Sequence, residues 1–204
     1  MNSVNIRPYH HGNLRAELLR LAVELAAEGG REAIVLREVA RRAGVSASAA
    51  YRHFSGHSEL MDAVRVAALE GLSGQMREAL DQLPAQAGAM SSLLAAGEGY
   101  FSFGIAQPAL FRVLHSSVPM EDIQNDRAPT EDPFALLREI VATARPDSDE
   151  EQIFVLAVSL WSAVHGYTML CTEGALRQVP EERQRAMLPE VLGPPARAVV
   201  GEPT

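Results

Sequence analysis

The chain has 204 residues, 47% of them hydrophobic, and a formal net charge of −8. That length fits one domain with an appendage or two small domains, and that hydrophobic share excludes wholesale disorder. The one cysteine, Cys171, excludes an internal disulfide framework and a Cys-cluster zinc site, and no cofactor is expected.

The opening stretch, MNSVNIRPYHHGN, lacks the apolar run of a signal peptide, so a cytoplasmic location is expected. Charge is unevenly spread. Residues 1–57 hold eight Arg against five Glu, a net of +3, while residues 58–204 hold ten Arg against 21 acids, a net of −11. A small basic end on an acidic chain suggests that this end meets a polyanion while the rest repels one.

Apolar spacing is helical almost throughout. Leu14, Leu18, Leu21, Ala22, Leu25 and Ala26 recur at three and four residues, and Gly29-Gly30 ends that helix. LREVARRA forms a short helix stopped by Gly44, and Ser46 is a good N-cap for the next, ASAAYRHF. A long segment runs from about His57 to Leu83, where Pro84 ends it. Helices follow over Ala87–Ala106 and from Pro108 through His115. Residues 118–133 are polar with three prolines and read as a mobile loop. Pro133 opens a helix through Ala144, and Ser148-Asp149 cap a long one to about Thr172. A last helix starts after Pro180, with its end blurred by Pro189, Pro194 and Pro195. No alternating strand and no internal repeat stands out. The expected class is all-α, with about nine helices. The stretch Ile153–Leu170 approaches the length of a membrane span, but it carries Ser159, Ser162, His165 and Thr168, so a buried helix and no membrane contact are expected.

Residues 36–54 carry the most specific pattern. Two short helices flank the tight turn Ala43-Gly44-Val45-Ser46, with small Ala40 where the helices would cross. This is helix-turn-helix spacing, whose second helix enters the major groove of double-stranded DNA. That helix presents Ser46, Ala47, Ser48, Ala49, Tyr51, Arg52 and His53. Small residues at its start let the backbone approach bases, and the later three offer donors to phosphate oxygens. A helical hairpin buried in a bundle is the alternative.

The run HGNLRAELLRLAVELAAEGGREAIVLREVARRAGVSASAAYRHFSGHSEL resembles the N-terminal DNA-binding domain of the TetR family of bacterial transcriptional regulators. The resemblance implies that Arg37 and residues 46–49 face base edges, and that Tyr51, Arg52 and His53 hold the backbone. His57 stands where a phosphate-contacting Lys is usual, Ala49 where a Thr is common, and Leu36 where a Thr often opens the second helix. WSAVHG, with Trp161, His165 and Gly166, is similar to the Trp-His-Gly signature of one branch of the family, as is YHHGNLR. The resemblance implies residues 1–57 as a DNA-binding domain and 58–204 as a helical regulatory and dimerisation domain. It implies a homodimer on a palindromic operator, most often a repressor.

Other clusters carry less. Ser55-Gly56 breaks the helix between His53 and His57, so their four-residue spacing is a poor metal site. His10-His11 reads as a solvated arm, with DNA contact the alternative. No Glu-x-x-His occurs, and Gly97, Gly99 and Gly104 form no dinucleotide motif. Tyr100, Phe103, Phe111 and His115 are expected to enclose an apolar cavity against Trp161 and His165, fit for a small apolar or amphipathic ligand. The alternative is that all six fill a closed core. The expected function is a ligand-released DNA-binding repressor rather than an enzyme. The rivals are a helical-bundle enzyme and a protein-binding adaptor.

Overall fold

A computed structural model describes residues 14–115 and 132–201. These form nine α-helices and one 3-10 turn, with no strand among the described residues, so the all-α expectation holds. Most of the 118–133 stretch read as a loop lies outside them, as do His10 and His11. The chain divides into two compact units, up to Arg65 and from Val66 onward.

The first unit holds α1 (Leu14–Gly29), the 3-10 turn Arg31–Ala33, α2 (Leu36–Arg42), α3 (Ala47–Tyr51) and the start of α4 (His57–Asp81). The stripe seen in α1 is its buried face: Leu18, Leu21, Ala22, Leu25 and Ala26. They share a core with Ile34, Val39, Ala50, Phe54, Leu60 and Val64, all fully buried. Each large side chain there contributes roughly 1.5–3 kcal/mol relative to exposure. Along α4, Leu60, Val64, Ala68, Leu72 and Met76 recur every fourth residue and are all buried.

The second unit adds α5 (Ala89–Ala106), α6 (Pro108–His115), α7 (Pro133–Ala144), α8 (Glu150–Thr172) and α9 (Glu181–Val200). Helix α5 packs on α6, α7, α8 and α9. It also meets α4 at Gly99, where a Cβ would lie 2.6 Å from the Met76 Cα. Only glycine permits that backbone approach. Asp132 caps α7 by accepting from the Phe134 N–H, with Pro133 in the first turn. Asp149 and Gln152 form a reciprocal capping box on α8.

Helix α9 continues through all three of its prolines, which the sequence left as an uncertain end. Pro189 and Pro194 are exposed and Pro195 half-buried, while Leu188, Leu192, Ala196 and Val199 bury the opposite face. The packed face keeps the helix together where the prolines remove intrahelical hydrogen bonds.

Candidate DNA-reading surface and apolar site

The turn between α2 and α3 closes through the Val45 N–H, which donates to the Ala40 carbonyl at 3.0 Å. Gly44 sits in it at φ 70, with open space where a Cβ would be. The glycine answers a left-handed backbone there and not a lack of room. Ser46 is extended, and its Oγ accepts from the Ala49 N–H at 3.2 Å, the N-cap expected from sequence. The Ser46 and Ser48 hydroxyls lie 3.0 Å apart.

On α3, Ala50 is fully buried and fixes which side faces inward. Ser46, Ala47, Ser48 and Arg52 are exposed, Tyr51 is 46% exposed, and Ala49 and His53 are half-buried. Arg37 in the first turn of α2 and His57 at the start of α4 are also exposed. The residues named from sequence are therefore spread over the first turn of α2, the whole of α3 and the start of α4, each at least partly exposed.

The arginines of this unit fall into two groups. Arg15, Arg20, Arg41 and Arg42 are held by Glu59, by Glu17 and Glu24, by Glu38, and by Glu28 with Glu38. The Arg41 hydrogen bond, with Arg42 behind it, brings the Glu38 carboxyl down to about 2. Arg37 and Arg52 make no ion pair among the described residues. Their guanidinium groups keep all five N–H donors for an outside acceptor.

The second unit brings Tyr100, Phe111, Trp161 and His165 together. The Tyr100 hydroxyl lies 3.0 Å from His165 Nδ1. Its ring meets Trp161 edge-on at 5.0 Å and Phe111 at 5.6 Å, and Phe111 lies 5.9 Å from the His165 ring. Burial pushes the Tyr100 phenol far above its ordinary pKa, so it stays a neutral hydrogen-bonding group. Phe103 is not part of this set: its ring turns to α4, 3.2 Å from where a Cβ on Gly71 would be. The side chain of His115 lies outside the described residues.

A small apolar space of about 10 Å³ lies beside these rings, bounded by Met76, Gly97, Tyr100, Leu160, Trp161 and Leu192 among others. That is room for about one water. Of the six residues named from sequence, Tyr100 and Trp161 reach its wall, while Phe103, Phe111 and His165 do not. The aliphatic wall from α4, α5, α7, α8 and α9 escaped the sequence reading because apolar residues on a helix face carry no mark of a cavity. Leu160 and Val164 lie within the apolar stretch Ile153–Leu170 that the sequence marks as a buried helix.

A family model described as bacterial regulatory proteins of the tetR family matches residues 18–64. A second, for the tetracyclin repressor-like C-terminal domain, matches residues 93–191 and so includes Trp161, His165 and Gly166. Together they cover more than two thirds of the chain. The chain belongs to the TetR family. Members of this family are transcriptional regulators. The HTH-type transcriptional repressor KstR2 of Mycobacterium tuberculosis is 34% identical over 67 residues, which is 33% of this chain and 34% of that protein. KstR2 of Rhodococcus jostii is 36% identical over 64 residues, 31% of each chain. The chain thus matches about a third of the length of these curated relatives. A solved structure from Rhodococcus sp. RHA1, of a protein with unknown function, aligns over 96% of this chain and 97% of its own. Its identity is 25% and the TM-score 0.69.

Proposed function

We propose that this TetR-family chain is a sequence-specific DNA-binding repressor, released from its operator by a small apolar or amphipathic ligand. Residues 1–57 read double-stranded DNA, and residues 58–204 sense the ligand and join two copies. The observation that carries the reading is the pairing pattern around the helix-turn-helix. Arg37, in the first turn of α2, and Arg52, at the end of α3, stand exposed and unpaired, while Arg20, Arg41 and Arg42 are occupied by carboxylates. Arg52, with Tyr51 and His53, suits phosphate oxygens, and Arg37 suits a base edge.

The homodimer is supported by α8. Its inner face is buried at Ala157, Leu160, Val164, Thr168 and Cys171, yet Phe154, Val155, Val158 and Leu170 are 39–55% exposed. A second copy on a two-fold axis covers that face and presents two reading heads to a palindrome. Helix α8 is also long and apolar enough to cross a membrane, on length and composition alone. Its inner face packs on α5, α7 and α9, which favours a soluble, cytoplasmic regulator.

The ligand meets a space of only about 10 Å³. It therefore binds a state in which this region has opened, and only its differential affinity for that state moves the operator equilibrium.

Among the described residues, no group of three His, Cys, Asp or Glu is placed to hold a metal. The enzyme and adaptor alternatives separate from the repressor reading in a gel-shift titration at several salt concentrations. Log affinity for a selected duplex should fall linearly with log salt, at about 0.9 per phosphate neutralised. Absence of any duplex bound better than bulk DNA overturns the reading.

A further inference from the structure

The reading helix α3 spans five residues, too short to hold its own direction. Its start is fixed by the Ser46 cap and the Val45–Ala40 hydrogen bond. Its other end is held from outside. The Arg15 guanidinium, on α1, donates to the His53 carbonyl just past the end of α3. The same Nη1 reaches Glu59 Oε1 at 3.2 Å, in the first turn of α4. The guanidinium also lies 4.3 Å from the ring centroid of Phe54, which is fully buried. The other Glu59 oxygen accepts from the Ser55 N–H at 2.8 Å. One side chain thus ties α1 to the exit of α3, and one carboxylate ties that exit to α4.

We propose that Arg15 and Glu59 are positioning residues for DNA reading, a latch that sets the direction in which α3 presents Tyr51 and Arg52. The inference rests on the DNA-binding reading above. A planar guanidinium suits the task because it serves a carbonyl, a carboxylate and a ring face at once. A lysine keeps the charge but offers a point donor in place of that fork.

The latch gives opposite signs to charge and affinity. Glu59 is an acid close to the DNA-reading surface. If it acts only through its charge, Glu59→Gln tightens binding to every duplex. If it holds the latch, Glu59→Gln weakens binding to the preferred duplex although a negative charge has gone. The test uses the full chain and a duplex enriched by the wild-type protein from a random pool, with an unselected duplex as control. Arg15→Gln should weaken the enriched duplex by roughly tenfold, within the range for coupled contacts, and leave the salt slope unchanged. A direct phosphate contact would instead lower the slope by about 0.9. Arg15→Lys should fail to restore affinity, and Glu59→Gln should lose affinity for the enriched duplex alone. Helical circular dichroism is recorded for each variant. Should Arg15→Gln unfold, Arg15→Lys and Glu59→Gln decide. Full affinity in Arg15→Lys, or equal or tighter binding in Glu59→Gln, overturns the latch. If the wild-type chain enriches no duplex, the DNA-binding reading falls and the latch with it. If it enriches one and the variants bind it unchanged, the latch alone falls.

Discussion

At the scale of single residues, DNA recognition separates into phosphate and base contacts. Arg52→Ala removes an exposed, unpaired cation near the end of α3. It should weaken all duplexes alike and lower the salt slope by about 0.9. Tyr51→Phe removes a neutral donor, so affinity should drop with the slope unchanged. Arg37→Ala should relax sequence preference and cost about 1–3 kcal/mol on the preferred duplex. Gel shifts across salt and across a panel of single-base variants read all three, and unchanged binding in every one removes this surface from consideration. A fourth residue tests packing. A Cβ on Gly99 would lie 2.6 Å from the Met76 Cα, and backbone cannot yield as a side-chain tip does. Gly99→Ala should therefore destabilise the fold by about 1–3 kcal/mol, although alanine is the better helix former. A denaturant midpoint equal to that of wild type would show that α4 and α5 part easily.

Among the elements, the helices of the first unit share a net of carboxylates whose acidity the fold enhances. Hydrogen bonds from Arg20, Arg42 and Arg41 lower Glu17, Glu28 and Glu38, the last to about 2, and the Ser55 backbone N–H lowers Glu59. Each folded value lies below the ordinary 4.5 of an unfolded glutamate, so the stabilisation is present above that pH. It drains away as pH falls through the folded values. Melting temperature should decline steadily below pH about 4.5, and Glu38→Gln should flatten part of that decline. A variant that melts along the wild-type curve would exclude the Glu38 pairs as a cause. These elements also show what was readable in advance. The Ser46 cap, the Gly44 turn, Pro133 in a first turn and the Asp149 cap are each written within a few residues, and each appears where its local chemistry puts it. The span of α9 across three prolines is not local: it depends on Leu188, Leu192, Ala196 and Val199 finding a packed surface. The direction of Phe103 is likewise decided by the bare flank of α4 at Gly71, more than thirty residues away in sequence. The arginine surface was legible as composition and motif, whereas which arginines remain unpaired became visible only with Glu28 beside Arg42.

For the whole molecule, the proposed assembly and the proposed switch both involve α8. Its outer face exposes Phe154, Val155, Val158 and Leu170, the face proposed to meet a second copy. Light scattering at micromolar concentration should give a dimer, and Val155→Asp with Val158→Asp should give a monomer that holds palindromic DNA weakly. A wild-type monomer, with and without DNA, would leave that face without its proposed partner. The same helix supplies Trp161, which touches Tyr100 and Phe134 and borders the small apolar space. With room for about one water, the ligand-free region offers no ready-made pocket, and Trp161→Ala, at a half-buried position, should cost about 1–3 kcal/mol of stability. Stability loss by itself describes a filled core and says nothing of sensing. Sensing adds a second requirement: a molecule that raises the melting temperature of the wild type must also lower its operator affinity. A coupling of about 1–3 kcal/mol corresponds to roughly 5–150-fold in operator affinity. In Trp161→Ala, the same molecule should lose or change that effect while operator binding without ligand stays near wild type. Thermal shift across a library of small apolar and amphipathic compounds, followed by a gel shift with each hit, measures both quantities. If every hit stabilises the wild type and none releases DNA, Tyr100, Trp161 and His165 are core alone, and the proposed ligand switch falls.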